Sequence, residues 1–370
     1  MSSEPDTIAL CRVGGGARVA YAAAGDGPPL VMLPGWLCHL EQSFEHPAAR
    51  SARDKLAATR RFVWYDRLGC GLSDRDGFEL SLDNDVDQLV AVLDHAGIER
   101  ADLIGYSFGA PPAAAFAARH PERVGRLVFV SAFARGSAIQ TAEQLDTLSH
   151  LIRRNWGLAS RTLATLLLPN ASSQDLRWFS RFQTAATTAD MAVRLLEHQH
   201  AMDVRDILPS VGAPTLVLHN RYDRAVPLSA GRELAALVPG ARLHVLDGNE
   251  HDPFIRDAGA ITEVLLAFAD GRPIEPVIEA AAKASSAPDS SQGASDAAAE
   301  RGLTGRETQV LRLIAAGEPN KRIAHSLGIT SATVERHVTN LYRKIDARGR
   351  ADAVRAAVAM GLVDVSGDDT

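Results

Sequence analysis

Six short apolar runs set the outer limits of this fold: LVML (30–33), RFVWY (61–65), ADLIGY (101–106), RLVFV (126–130), TLVLH (215–219) and RLHVL (242–246). Stretches of helical apolar spacing separate them. Strands that are apolar throughout, rather than at alternate positions, belong to sheets buried on both faces. The pattern therefore predicts an α/β fold built on a mostly parallel sheet covered by helices. Ahead of the runs, TIALCRV and GGGARVAYAAA read as a hairpin turning on glycines. Between Ala134 and Leu208 no such run occurs, and helical spacing carrying Trp156, Trp178, Phe179 and Phe182 predicts an inserted helical lid.

The alternation ends near residue 272. Residues 273–300, PIEPVIEAAAKASSAPDSSQGASDAAAE, are rich in Ala, Ser and Pro with almost no large apolar side chain, as expected of a flexible linker. Beyond it four short helical patterns follow, roughly 306–316, 320–327, 331–345 and 351–360. The expected division is thus a domain at 1–272, a linker at 273–300 and a small all-α domain at 301–370, matching what 370 residues allow at about 150 per domain.

Composition excludes several classes. With 46% apolar and 23% charged residues the chain is neither disordered nor fibrous. Cys11, Cys38 and Cys70 show no CxxC spacing and cannot all pair, so no disulfide framework or metal site is expected, and no cofactor is called for. The start, MSSEPDT, lacks a basic cluster followed by an apolar core, and no apolar stretch approaches roughly 18 residues. A cytoplasmic protein without a membrane partner is the expectation. Net charge is −6, but residues 301–362 hold eleven Lys or Arg against five acids, a local +6. That asymmetry removes the objection an acidic chain would raise to a nucleic-acid partner.

Gly105-Tyr106-Ser107-Phe108-Gly109 lies directly after one apolar run and before a helical pattern. A GxSxG there suits a turn too tight for flanking side chains, which lifts the serine hydroxyl clear of the sheet. Serine alone is a weak nucleophile and needs a histidine base oriented by an acid. Asp223, in HNRYDRAVP, and His251, in GNEHDPF, each follow a later strand, so Ser107, Asp223 and His251 are the candidate catalytic set. His219 and His244 fall within strand patterns and read as packed or half-exposed structural histidines. The backbone N–H groups of Trp36, after LPG, and Phe108 are the candidate oxyanion donors.

With LPGW, YDRLGCGLSD (65–74), GYSFG and ARHPERV (118–124), residues 17 to 270 resemble the alpha/beta-hydrolase family. The resemblance implies the alpha/beta-hydrolase fold and cleavage of an ester, amide, epoxide, carbon–halogen or carbon–carbon bond, although some members serve as ligand receptors. Two departures stand out. Pro34-Gly35 occupies a place where many members have His-Gly. Pro111-Pro112 removes backbone donors one turn into the helix after the nucleophile.

In the tail, Val334, Val338, Leu341 and Ile345 recur at helical spacing and form a buried stripe. The opposite face carries Thr333, Arg336, His337, Asn340, Arg343 and Lys344, groups suited to phosphates and base edges in a major groove. Thr330 is a good N-cap. The tight turn Gly328-Ile329-Thr330, with Ile329 inward, would set this helix against 320–327. There Lys321 and Arg322 would reach the DNA backbone. With LTGRE, the GEPNKRIA block, TVERHV and LYRKI, about sixty residues resemble the LuxR-type helix-turn-helix domain, which implies binding to double-stranded DNA; Glu335 stands where many members carry Lys or Arg. A homodimer formed through Val354, Ala357, Val358 and Leu362 is expected. Two functions remain open: a transcription regulator whose front domain senses a small molecule, with or without hydrolysing it, or an active serine hydrolase of carboxylic-ester type with an accessory DNA-binding tail.

Overall fold

The computed structural model of the chain describes residues 6–256, 258–279, 301–315, 317–327, 329–347, 349–360 and 362. It divides into two compact units, Met1–Val277 and Ile278–Thr370.

In the first unit an eight-stranded sheet runs in the order β1-β2-β4-β3-β5-β6-β7-β8. Its strands are β1 (Asp6–Arg12), β2 (Arg18–Ala24), β3 (Pro29–Leu33), β4 (Arg61–Tyr65), β5 (Ala101–Tyr106), β6 (Val124–Val130), β7 (Thr215–Asn220) and β8 (Arg242–Leu246). Each of the six apolar runs is a strand, and from β4 to β8 all neighbours are parallel. β1 and β2 form the expected hairpin, with Gly15 and Gly16 at positive φ in its turn. α2 (Leu82–His95), α3 (Ala110–Arg119) and α8 (Leu228–Leu237) bury Leu89, Val92, Ala113, Phe116 and Leu234 against Val31, Val63, Leu103, Phe129 and Val217 on one face. α1 (Pro47–Ala57) packs on β4 and on α10 (Ala258–Ala269) across the other face. Burial on both faces is why the runs show no alternation, and each large apolar side chain so buried contributes about 1.5–3 kcal/mol.

Between β6 and β7 come four helices, α4 (Ala142–Arg154), α5 (Trp156–Leu167), α6 (Ser173–Ala186) and α7 (Ala189–Ala201). Ser and Thr residues start three of them: Thr141 and Ser172 close full capping boxes with Gln144 and Asp175, and Thr188 caps α7. A short helix, α9 (Pro253–Arg256), precedes α10. The first unit continues past residue 272, because Ile274 is buried and Glu275 pairs with Arg242. Of the expected linker, residues 280–300 lie outside the described residues.

The prolines after the GxSxG behave differently from expectation. α3 starts at Ala110, so Pro111 and Pro112 occupy its first turn. N–H groups there have no acceptor four residues back, and the prolines sacrifice nothing.

The second unit contains α11 (Gly305–Ala315), α12 (Asn320–Leu327), α13 (Ser331–Lys344) and α14 (Arg350–Ala359). Val310, Leu311, Ile314, Ile323, Val334, Leu341, Ile345, Ala353 and Ala357 form its core. Val338 and Ile329 are only partly buried but pack on it. Ala357 and Leu362, expected at a dimer surface, are core residues, packed with Val310, Leu311 and Ile314 in the small core of this unit. Val354 and Val358 stay half-buried. Gly328, expected in the interhelical turn, lies outside the described residues.

Candidate functional site

Ser107 follows β5 directly in a left-handed conformation, φ 48°, that costs a non-glycine residue about 1–3 kcal/mol. The flanking glycines make the turn possible. A Cβ on Gly109 would sit 2.4 Å from the Leu33 carbonyl oxygen, and one on Gly105 would sit 2.9 Å from the Ala110 Cα. The loop after β3 therefore lies directly against the serine turn.

Ser107 Oγ is 2.9 Å from His251 Nε2, and His251 Nδ1 is 2.8 Å from Asp223 Oδ2. The other Asp223 oxygen accepts from the backbone N–H groups of Ala225 and Val226 at 2.8 and 3.0 Å. All three side chains are buried. Burial opposes the charged form of His251, but the charge and hydrogen bond of Asp223 outweigh it and raise the imidazole pKa above its ordinary value. His219 is fully buried, bonds the Val226 carbonyl at 2.9 Å and stands 3.9 Å from Asp223, a structural histidine as expected. His244 is half-buried, and burial lowers its pKa.

Several residues that hold this arrangement carry no local sequence signal. Ser131, at φ 50° just past β6, donates to the His251 carbonyl at 2.8 Å. Asn220 donates to the Glu250 carbonyl at 2.7 Å, and the His251 N–H donates to the Leu167 carbonyl at the end of α5. Burial raises the carboxyl pKa of Asp252, the neighbour of His251 in sequence. Only their positions at strand ends of adjoining strands could have marked Ser131 and Asn220, and that requires the strand order.

Ser107 and His251 line a cavity of about 450 Å³ walled by β3, α1, the inserted helices and the loop holding Asp223. Its walls are mostly apolar and aromatic, with Phe44, Leu163, Trp178, Phe179 and Phe182 prominent; Trp36, Gln140, Gln144 and Arg224 add polar groups. The size suits a small organic molecule.

In the second unit, Thr330 caps α13, its hydroxyl accepting from the Thr333 N–H and meeting the Thr333 hydroxyl at 2.9 Å. Arg336 and Arg343 are exposed, and Thr333, His337 and Asn340 are half-buried along the same helix. Arg343 reaches Asn340 at 3.3 Å. On α12 Lys321 and Arg322 are exposed, with Arg322 paired to Glu318. Lys344 differs from the rest of the expected DNA face: its ammonium lies 2.7 Å from Glu307, a buried carboxylate that also caps α11 through Thr304. The side chain ties the end of α13 to the start of α11. Lys344→Met, which removes the cation and leaves that carboxylate only its Thr304 partners, is expected to lower stability to urea by about 1–3 kcal/mol. The salt dependence of DNA affinity should stay as in the parent; a flatter dependence would return Lys344 to the phosphate-binding set.

The first unit is thus an α/β sheet bearing a connected Ser-His-Asp set at its carboxyl edge, and the second is a helix-turn-helix. A family model described as alpha/beta hydrolase fold matches residues 28–258, and the chain belongs to that family. Residues 301–357 match the model of bacterial regulatory proteins of the luxR family. Among curated proteins, the chain is 30% identical over 292 residues to 2-hydroxymuconate semialdehyde hydrolase of Pseudomonas sp. (strain CF600), covering 71% of this chain and 95% of the relative. It is 28% identical over 234 residues to pyrrolizixenacetamide deacetylase of Xenorhabdus hominickii, covering 62% and 86%. Among solved structures, an esterase from Exiguobacterium antarcticum superposes with a TM-score of 0.64 at 20% identity, covering 70% of this chain and 98% of that one. Among the described residues no helix is long and apolar enough to cross a membrane.

Proposed function

We propose that this chain is a DNA-binding transcription regulator whose alpha/beta-hydrolase domain receives a small carbonyl compound. One observation carries the reading: a Ser107 hydroxyl held by His251 borders an apolar cavity, in the same chain as a LuxR-type domain. Occupancy alters DNA affinity to the extent that the ligand binds the DNA-competent and DNA-incompetent states unequally. The protein acts as a homodimer in the cytoplasm, with Arg336, His337 and Asn340 against the major groove and Lys321, Arg322 and Arg343 near phosphates. A thermal-shift panel of simple esters, an acetamide and a hydroxymuconate semialdehyde, chosen from the relatives' names, would identify ligands. DNA affinity measured with and without each hit tests the coupling. Equal affinity in the two cases for every hit removes the sensor reading.

The unbroken Ser107–His251–Asp223 connection favours a second reading in which the ligand is also turned over. Ser107 Oγ attacks the carbonyl carbon while its proton passes to His251 Nε2, and Asp223 stabilises the imidazolium. The oxyanion meets the N–H groups of Trp36 and Phe108. Its collapse expels the leaving group, which takes the proton from His251, and water then cleaves the acyl-enzyme. Attack requires the neutral imidazole. Because Asp223 raises the His251 pKa, kcat/KM should fall as pH drops through a value above 6.5. Asp223→Asn should move that acid limb to lower pH; a limb unmoved by the substitution would show that another group titrates.

A further inference from the structure

The YDRLGCGLSD stretch has no part in the Ser-His-Asp connection, yet it grips the loop beside it. Arg67, only 3% exposed, donates from Nη2 to the Pro34 carbonyl at 3.0 Å. Its guanidinium carbon lies 3.8 Å from the centre of the Phe108 ring. The Arg67 N–H meets Cys38 Sγ at 3.2 Å, and Asp66 accepts from the Leu40 N–H at 3.1 Å and the Leu72 N–H at 2.8 Å. The turn is itself closed: a Cβ on Gly71, at φ 53°, would fall 2.0 Å from an Asp66 carboxylate oxygen. No carboxylate among the described residues pairs with Arg67, so the Phe108 face and the Pro34 carbonyl hold its buried charge. One guanidinium therefore bridges the two segments that carry the expected oxyanion donors, the Pro34-Gly35-Trp36 loop and Phe108.

We infer that Arg67 is the positioning residue of the oxyanion hole, fixing the spacing between the Trp36 and Phe108 N–H groups from behind both. The inference rests on the hydrolytic reading of Ser107. A planar, delocalised cation is needed because the same group must stack on a ring and hydrogen-bond in its own plane, which an ammonium cannot do. Donors set in advance favour the tetrahedral state over the bound substrate, so their displacement costs kcat and spares KM.

The full-length Arg67→Met variant, assayed with p-nitrophenyl butyrate, should lose about tenfold or more in kcat, with KM within about threefold of the parent. Phenylboronic acid supplies a second readout. Ser107 Oγ adds to boron, its proton passes to His251, and the tetrahedral oxygen needs the same donors, so its inhibition constant should rise by a similar factor. Arg67→Lys keeps charge and stem while losing the planar stack, and should fall between the two; it decides the matter if Arg67→Met does not fold. Unchanged kcat and boronate affinity, or a loss confined to KM, overturns the assignment. A wild-type protein with neither turnover nor boronate binding instead removes the hydrolytic reading, and this one with it.

Discussion

Ser107→Ala should lower ester turnover by roughly 10⁴- to 10⁶-fold, the scale seen when a hydrogen-bonded nucleophile is removed and only binding and oxyanion donors remain. The hydroxyl it deletes sits 2.9 Å from His251 at the border of the cavity, and the alanine leaves that wall in place. Ligand binding by thermal shift should therefore persist in the variant. The same substitution separates the two functions. Ligand-dependent DNA binding that survives Ser107→Ala belongs to occupancy, whereas loss of the response together with turnover would mean that the product, or the acyl-enzyme, is the signal. A wild-type protein that neither hydrolyses nitrophenyl esters nor reacts with a fluorophosphonate would end the catalytic reading.

The second large effect belongs to α13. Joint replacement of Arg336 and Asn340 by alanine should weaken binding to an in vitro selected site by roughly 10²-fold or more, since each good base contact contributes about 1–3 kcal/mol of discrimination. Fluorescence anisotropy over a salt series reads it. Lys321→Ala, by contrast, should weaken all sequences alike and reduce the salt slope by about 1. Undiminished affinity in the double variant would remove this face from the interface. Neither substitution touches the buried stripe of Val334, Leu341 and Ile345, so the helical signal should be unchanged.

Much of this was legible along the chain because the signals are local. A run of four to six apolar residues between helical patterns is too short for a helix and reads as a buried strand, and each of the six became one with its ends within two residues. The GxSxG turn declares itself through the space its glycines must leave, and Asp223 and His251 through their places just after strands. The four tail helices follow their periodicity. Other features were hidden for one reason: a residue's partners are not written beside it. Lys344 reads as one more basic group on an exposed face until α11 brings Glu307 against it. Ala357 and Leu362 look available for a partner until α14 folds them into its own core. Ile274 and Glu275, near the end of the first unit, look like linker because nothing nearby shows that one will be buried and the other paired with Arg242.

The sequence by itself determined the two-part architecture, the parallel sheet, the strained serine turn and the basic helix, since each depends on spacing within a dozen or so residues. Only the tertiary structure decided what surrounds Ser107. The Ser131 hydroxyl on the His251 carbonyl and the Arg67 guanidinium on the Pro34 carbonyl join segments separated by 120 and 33 residues, and the cavity is lined from Met32 to Ile255. Such contacts depend on strand order, which no local pattern encodes, because any parallel pair of strands satisfies the same backbone hydrogen bonds and apolar faces.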